Sequence, residues 1–186
     1  MKPELKYGLL GGAGVCLWIL AEYCLGFHTT RLAIGEYSGY FSSLVPLVTL
    51  WLLLRGRQRV YGPLFTVLRG LSSGVMASFL TAVTVYCFLV FYNFQINPGW
   101  LDHALAWKVA QLRAAHVPEA EINGQVAFYR SSNSPAGLLY STVAGLTLLG
   151  AFFSILISLL LIWRGQTVPP APPSPPVPVD GPAAGS

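Results

Sequence analysis

One acidic residue, Glu22, lies within the first long apolar stretch of the chain, and its chemistry needs an explanation. A carboxylate inside a helix that crosses a bilayer is costly, so it suggests a proton or ion site by default. Its depth favours another interpretation. With the helix centred near Cys16, a rise of about 1.5 Å per residue places Glu22 roughly 9 Å toward one face. There it can hydrogen-bond to water, Tyr23 or Arg31. We therefore predict an interfacial anchor and keep the proton or ion site as the alternative.

Cys24 and His28 are four residues apart, a spacing that could place two metal ligands on one helix face with Glu22 nearby. Gly26 interrupts the helix between them, and the other two histidines lie isolated much further along the chain. Because zinc sites of this kind need four ligands, we expect no metal and no other cofactor.

Catalytic sequence patterns do not stand out in this chain. No serine-histidine-acid spacing and no paired carboxylates are evident. The glycine-rich stretch Gly11–Gly14 lies within an apolar helix and lacks the preceding strand that a nucleotide site requires. We therefore expect that the protein is not an enzyme.

The elements that must position these residues follow from the composition, which is 54% hydrophobic and only 10% charged over 186 residues. A typical soluble domain is about a quarter charged. The charges leave four long stretches free, each close to or beyond the roughly 20 apolar residues that a spanning helix needs. We predict an all-α, polytopic integral membrane domain over 1–166, with four transmembrane helices at about 7–25, 37–54, 63–92 and 135–163.

The segments outside these four helices have their own signals. The loop 93–133 carries two helix starts, at Asn97-Pro98 and at Pro118, so it predicts a helix pair on one face of the bundle. Pro46 should kink the second transmembrane helix near its middle. The segment 167–186 holds eight of the 14 prolines and is predicted to be a disordered, extended tail.

Basic residues predict the orientation. Seven of the eleven lie on one side of a four-helix topology: Lys2, Lys6, Arg55, Arg57, Arg59, Arg69 and Arg164. Cytoplasmic segments are enriched in Lys and Arg, so both termini and the tail should be cytoplasmic and the helical loop extracytoplasmic. This topology also explains the net charge of +4, and we expect the lipid bilayer, rather than nucleic acid, as the partner.

Small residues recur at four-residue spacing along three of the helices, which allows close approach of membrane helices. The residues predicted to pack helices together are Gly8, Gly12, Gly70, Gly74, Ser78, Gly145, Gly150, Ser154 and Ser158. We favour packing within one bundle, because four helices must first satisfy one another. Association with a second copy or with another membrane protein is the alternative.

Several of these stretches resemble one known family. They are Lys6-Tyr7-Gly8 with Gly12, Gly62-x-x-Phe65 with Gly70 and Gly74, Pro135 after a long helical loop, and Gly150 with Ser154-Ile-x-Ile-Ser158. The pattern, over about Lys6 to Arg164, resembles the bacterial four-helix membrane family catalogued as a domain of unknown function, DUF4199. The resemblance implies the same topology and a bacterial inner-membrane location. It implies no catalytic residues, since that family has no assigned activity.

Three functions are compatible with this sequence. The first is a non-enzymatic accessory or interaction module, because the polar inventory of the four helices is thin. The second is a small oligomeric transporter or channel that uses Glu22, the Pro46 kink and the hydroxyls of the third helix, Ser72, Ser73, Ser78, Thr81 and Thr84. The third and weakest is an enzyme that acts on lipids beneath the long loop.

Overall fold

The computed structural model describes residues 1–166, and within this range the backbone is helical with short connections and no strand. The predicted tail, 167–186, lies outside the described residues. The helices are α1 (Pro3–Cys24), α2 (Leu32–Ser42), α3 (Leu44–Tyr61), α4 (Val67–Phe91), α5 (Trp100–Ala114), α6 (Glu119–Ser132), α7 (Pro135–Leu138) and α8 (Gly145–Gln166). A π-helical turn, Tyr92–Ile96, extends α4, and a second, Leu139–Ala144, joins α7 to α8.

Four stretches of the described chain are long and apolar enough to cross a membrane: Pro3–Cys24, Leu32–Leu64, Val67–Ile96 and Pro135–Gly165. They correspond to the four predicted helices, but the first two begin earlier than expected, and the third begins at Val67 rather than near 63. The first starts at Pro3 rather than near residue 7, because proline suits a first helical turn and Glu4 favours a helix N-terminus. The second starts at Leu32 rather than near 37, since a single charged residue does not stop a helix.

The second stretch is interrupted at Ser43, where α2 ends and α3 begins. The kink was expected near Pro46, and the break lies three residues before it. Proline lacks an N–H group and its ring clashes with the carbonyl four residues earlier, which here belongs to Ser42. The hydroxyls of Ser42 and Ser43 each donate to the carbonyl three residues back, both at 2.6 Å, and so satisfy backbone oxygens at the break.

The four stretches form a bundle in which α4 packs extensively against both α1 and α8, and α3 packs against α1, α4 and α8. We call the end with Pro3, Leu64, Val67 and Gly165 the terminus end, and the opposite end the hairpin end. Close to the terminus end, a buried cluster joins α3 to α8: Leu50, Leu54, Phe65, Ile157 and Leu161. The pair α5–α6, here called the hairpin, lies between the last two stretches in the chain.

Small residues make the closest contacts in the bundle. Along the seam between α4 and α8, Gly70 faces Ser158, Gly74 faces Ser154 and Gly150 faces Ser78, each so closely that an added Cβ would overlap the serine. Between α1 and α4, a Cβ at Gly8 would lie 2.7 Å from Leu80 Cβ, and one at Gly12 would lie 2.6 Å from Thr84 Cβ.

Gly145 differs from the other residues predicted to pack the helices. A Cβ there would meet no described atom within 4 Å, so Gly145 makes no close helix contact. The reason is the π-helical turn Leu139–Ala144 immediately before it. Such a turn contains one more residue than an α-helical turn, and it rotates the following residue away from the spacing that the sequence implied.

Candidate functional site

Glu22 lies at the hairpin end of α1 and is only 5% exposed. One carboxylate oxygen, Oε1, accepts hydrogen bonds from Trp18 Nε1 at 2.7 Å and from Ser38 Oγ at 2.5 Å. The other, Oε2, lies 3.4 Å from His28 Nε2. The sequence analysis had placed Glu22 near the bilayer interface, with water, Tyr23 or Arg31 as its partners. In the structure its partners are instead side chains of α1, of α2 and of the turn between them, and the carboxylate is buried.

Local structure explains how these groups reach Glu22. Trp18 is one helical turn earlier on α1, and Ser38 comes from α2, which packs back on α1. The chain reverses after α1 at Gly26, whose φ of +76° is the left-handed conformation that glycine adopts most easily. The Phe27 N–H donates to the Glu22 carbonyl at 2.9 Å, which closes the turn and leads His28 back toward the carboxylate.

His28 extends the network to the far end of α4. Its Nδ1 lies 2.6 Å from the Tyr92 hydroxyl, and Asn97 Nδ2 donates to the same hydroxyl at 3.1 Å. The Glu22 carboxylate can only accept, so the proton of the neutral imidazole lies on Nε2 and points to Glu22. His28 Nδ1 then accepts from the Tyr92 hydroxyl, which itself accepts from Asn97 Nδ2. A directed chain therefore runs from Asn97 through Tyr92 and His28 to Glu22.

The π-helical turn Tyr92–Ile96 places the far members of this chain. The Asn97 N–H donates to the Tyr92 carbonyl at 2.9 Å, a five-residue return that brings the Asn97 side chain back to the Tyr92 hydroxyl. In the next turn, Trp100 Nε1 donates to Asn93 Oδ1 at 2.6 Å, and the Trp100 ring lies 6.4 Å from the His28 ring. The network thus joins α1, α2 and α4 to the first residue of the hairpin.

Burial sets the charge state of the histidine. Removal of His28 from water lowers its pKa below the ordinary value of 6.5, and the nearby Glu22 carboxylate opposes this shift without overcoming it. A neutral imidazole at pH 7 agrees with the donor and acceptor assignment, since an imidazolium would donate from both nitrogens.

A cavity of about 230 Å³, which we call the hairpin cavity, opens beside the His28 ring. Its wall is largely aromatic and aliphatic, with Phe27, Leu32, Trp100, Leu105, Trp107 and Tyr129. Both ring nitrogens of His28 already contact protein groups, so this residue lines the cavity mainly with its carbon atoms.

The three candidate metal ligands are only partly brought together. Glu22 and His28 meet, whereas Cys24 is exposed and makes none of the network's contacts. Across residues 1–166, no three His, Cys, Asp or Glu side chains are grouped closely enough to hold a metal ion.

A second carboxylate site at the terminus end was missed by the sequence reasoning. Glu4 forms an ion pair with Arg57 and accepts a hydrogen bond from Ser73 at 2.9 Å. Arg57 also packs its guanidinium against the Tyr61 ring, at 5.7 Å from the centroid. The sequence analysis had treated Arg57 mainly as a marker of topology. The available signal was Glu4 itself, an acidic residue among the basic ones that the described part of the chain carries at that end.

These features define a helical bundle with four candidate membrane spans and with a carboxylate near each end of α1, Glu4 and Glu22, that binds side chains of other segments. The family model described as "Protein of unknown function (DUF4199)" matches residues 6–162, so the chain belongs to this family, as the resemblance in its sequence implied. No curated protein and no solved structure matches the chain.

Proposed function

We propose that this protein is a bacterial inner-membrane protein that acts as an accessory or interaction module rather than as an enzyme, with the hairpin as its interaction element. Both termini would lie in the cytoplasm, and the hairpin would lie on the outer side. The basic residues at the terminus end support this orientation, since cytoplasmic ends of membrane helices are enriched in Lys and Arg.

The observation that carries the proposal is that the polar groups of the Glu22 network are occupied by contacts within this chain. Both carboxylate oxygens contact donors of the same chain, and both His28 nitrogens are likewise engaged. A reaction centre would need one of these groups to face a substrate. Here they hold the Gly26 turn and the base of the hairpin against the bundle. Such contacts would keep an interaction element in a fixed position.

Two exposed ion pairs link neighbouring parts of the hairpin, which also carries exposed apolar side chains. Arg130 of α6 contacts Asp102 of α5 at 3.0 Å, and Arg113 contacts Glu119 across the connecting turn at 2.8 Å. On the same hairpin, Phe128 is 70% exposed. An exposed aromatic ring on a helix that is held in a fixed position suits contact with another protein, because aromatic residues are enriched in protein–protein interfaces.

Site-specific photo-crosslinking in native membranes tests this function. A photoreactive amino acid at Phe128 should give a discrete adduct with a protein, whereas the same group at Leu148 should give lipid adducts only. The two side chains are matched, since each is 70% exposed, but Leu148 belongs to the apolar helix α8. Absence of any protein adduct at Phe128, together with absence of self-association, would contradict the proposal.

A small oligomeric transporter or channel is a second candidate, favoured by a cavity within the bundle. This cavity of about 270 Å³ has a largely apolar wall, but the wall includes Pro46, Ser78 and Thr81, which the sequence had suggested as part of a path, with Ser43 and Thr49 beside them. Purified protein in liposomes that contain a pH-sensitive dye should then conduct protons in a manner that depends on Glu22. Flux that is equal for wild type and Glu22→Gln removes this candidate.

A further inference from the structure

The charges of the two ends differ strongly. Among the described residues, the terminus end carries seven basic side chains and a single acidic one, Glu4, whose charge is taken up by Arg57. The hairpin end mixes acidic and basic residues. A positive potential therefore covers the terminus end, and any groove on that surface would favour an anionic ligand.

One groove at the terminus end has a volume of about 500 Å³. It lies between the end of α3, the short turn that follows it, and the last residues of α8. Its lining includes Gln58, Arg59, Phe65, Ile162 and Gly165. We call it the terminal groove.

The terminal groove is built in two layers. Phe65 is 6% exposed and forms an apolar floor together with Ile162. At the rim, Arg59 is exposed and makes no ion pair with any residue in 1–166. Gln58 Nε2 donates to the Leu161 carbonyl at 2.6 Å, so α3 and α8 are fastened to each other beside the groove.

The depth of the terminal groove matches the lipid headgroups. The uncharged part of α3 ends at Leu54, and Arg59 follows five residues later, or about 7.5 Å further along the helix at 1.5 Å per residue. With the uncharged part of α3 in the hydrocarbon core, Arg59 lies beyond it among phosphate groups, and the apolar floor borders the acyl chains.

We propose that the terminal groove binds an anionic phospholipid, with the guanidinium of Arg59 on the lipid phosphate and the first acyl carbons over Phe65 and Ile162. Arginine suits this role because its planar donors match phosphate oxygens in a bidentate geometry. The proposal is independent of the function of the hairpin.

Native mass spectrometry of the detergent-solubilised full chain tests the proposal with phosphatidylglycerol and phosphatidylcholine of identical acyl chains. Wild type should bind phosphatidylglycerol more tightly. Arg59→Gln should weaken that binding about tenfold or more, the loss expected when charge-assisted hydrogen bonds to the phosphate are removed. Arg55→Gln is the matched control, since it removes the same charge from α3 one turn away from the groove, and its affinity should stay within twofold of wild type.

A second variant tests the groove without a change of charge. Gly165→Leu should narrow the groove and weaken the binding of phosphatidylglycerol, while the chain should still fold, since a Cβ at this position would lie at an ordinary contact distance, 3.4 Å, from Gln58 Nε2. It decides the question alone if Arg59→Gln does not fold. Equal loss in Arg59→Gln and Arg55→Gln, or no lipid preference in wild type, would overturn the proposal. Displacement of the lipid by inorganic phosphate at equal concentration would also overturn it, since the site would then bind soluble anions.

Discussion

Removal of the Glu22 carboxylate should destabilise the protein through its donors rather than through its own charge. Glu22→Ala leaves His28 Nε2, in a largely buried residue, without its acceptor, and Ser38 Oγ keeps only its longer hydrogen bond to the Gly35 carbonyl at 3.4 Å. The unpaired imidazole donor costs about 1–3 kcal/mol, and the weakened Ser38 bond adds about 0.6 kcal/mol, the average for a hydrogen bond between membrane helices. Trp18 adds little, since this residue is 36% exposed. The expected loss is about 2–4 kcal/mol.

Glu22→Gln should cost less, and the hydrogen-bond geometry explains why. The amide oxygen can still accept from Trp18 and Ser38, but the amide nitrogen then faces His28 Nε2. The imidazole must move its proton to Nδ1 to accept from the amide. Tyr92 would then receive donors from both His28 and Asn97 and lose the acceptor for its own proton. One misplaced hydrogen bond costs about 1–2 kcal/mol.

Reversible unfolding by sodium dodecyl sulfate in mixed micelles, followed by tryptophan fluorescence, measures these differences. Glu121→Ala is a suitable control, because Glu121 is an exposed glutamate of α6 whose one hydrogen bond is long, at 3.4 Å to Gln125. It should stay within about 0.5 kcal/mol of wild type. The reasoning fails if Glu22→Ala matches this control, or if Glu22→Gln is as destabilising as Glu22→Ala.

Two further predictions use the same unfolding measurement. Gly74→Leu should destabilise the bundle by about 1–3 kcal/mol or more, because even a Cβ at residue 74 would lie 2.6 Å from Ser154 Cβ. Stability should also fall as pH drops below about 6.5, where the unfolded chain takes up a proton that His28 in the folded protein resists, since its folded pKa is lowered. His28→Gln should flatten that part of the pH profile.

Matched controls separate these effects from general ones. Gly145→Leu makes the same change on α8 where no described atom lies within 4 Å, so it should be close to neutral. His103→Gln removes an exposed histidine and should leave the pH profile as in wild type. A destabilised Gly145→Leu, or a pH profile that is unchanged in His28→Gln, would contradict the respective argument.

The number and approximate position of the long helices could be predicted because each coincides with a long apolar stretch that carries few charges. The bounds were less accurate, since lone charges such as Glu36 do not end a helix. The break at Ser43 illustrates another limit. Proline acts on the carbonyl four residues earlier, so the distortion appears before Pro46, and the nearby serine hydroxyls determine where the backbone finds substitute hydrogen bonds.

The Glu22 network could be predicted only in part. Glu22 and His28 could be considered together from the sequence, because they are near each other in the chain. Tyr92 is 64 residues from His28, and no local pattern indicates that the two meet. The estimate of how deep Glu22 lies in the bilayer used only its position along a single helix and ignored the neighbouring segments. Burial at the hairpin end comes instead from α2 and from the π-helical turn after α4, which are tertiary features.

The seam between α4 and α8 shows what small residues contribute. The sequence identifies a stripe on each helix, and the structure pairs glycine with serine, Gly74 with Ser154 and Gly70 with Ser158. Ser154 Oγ donates to the Gly150 carbonyl within its own helix at 2.6 Å, and the buried Ser158 Oγ has no hydrogen-bond partner among the described residues. Neither hydroxyl links the two helices. The seam therefore depends on side-chain volume rather than polarity, which is why added volume at Gly74 is the change that tests it.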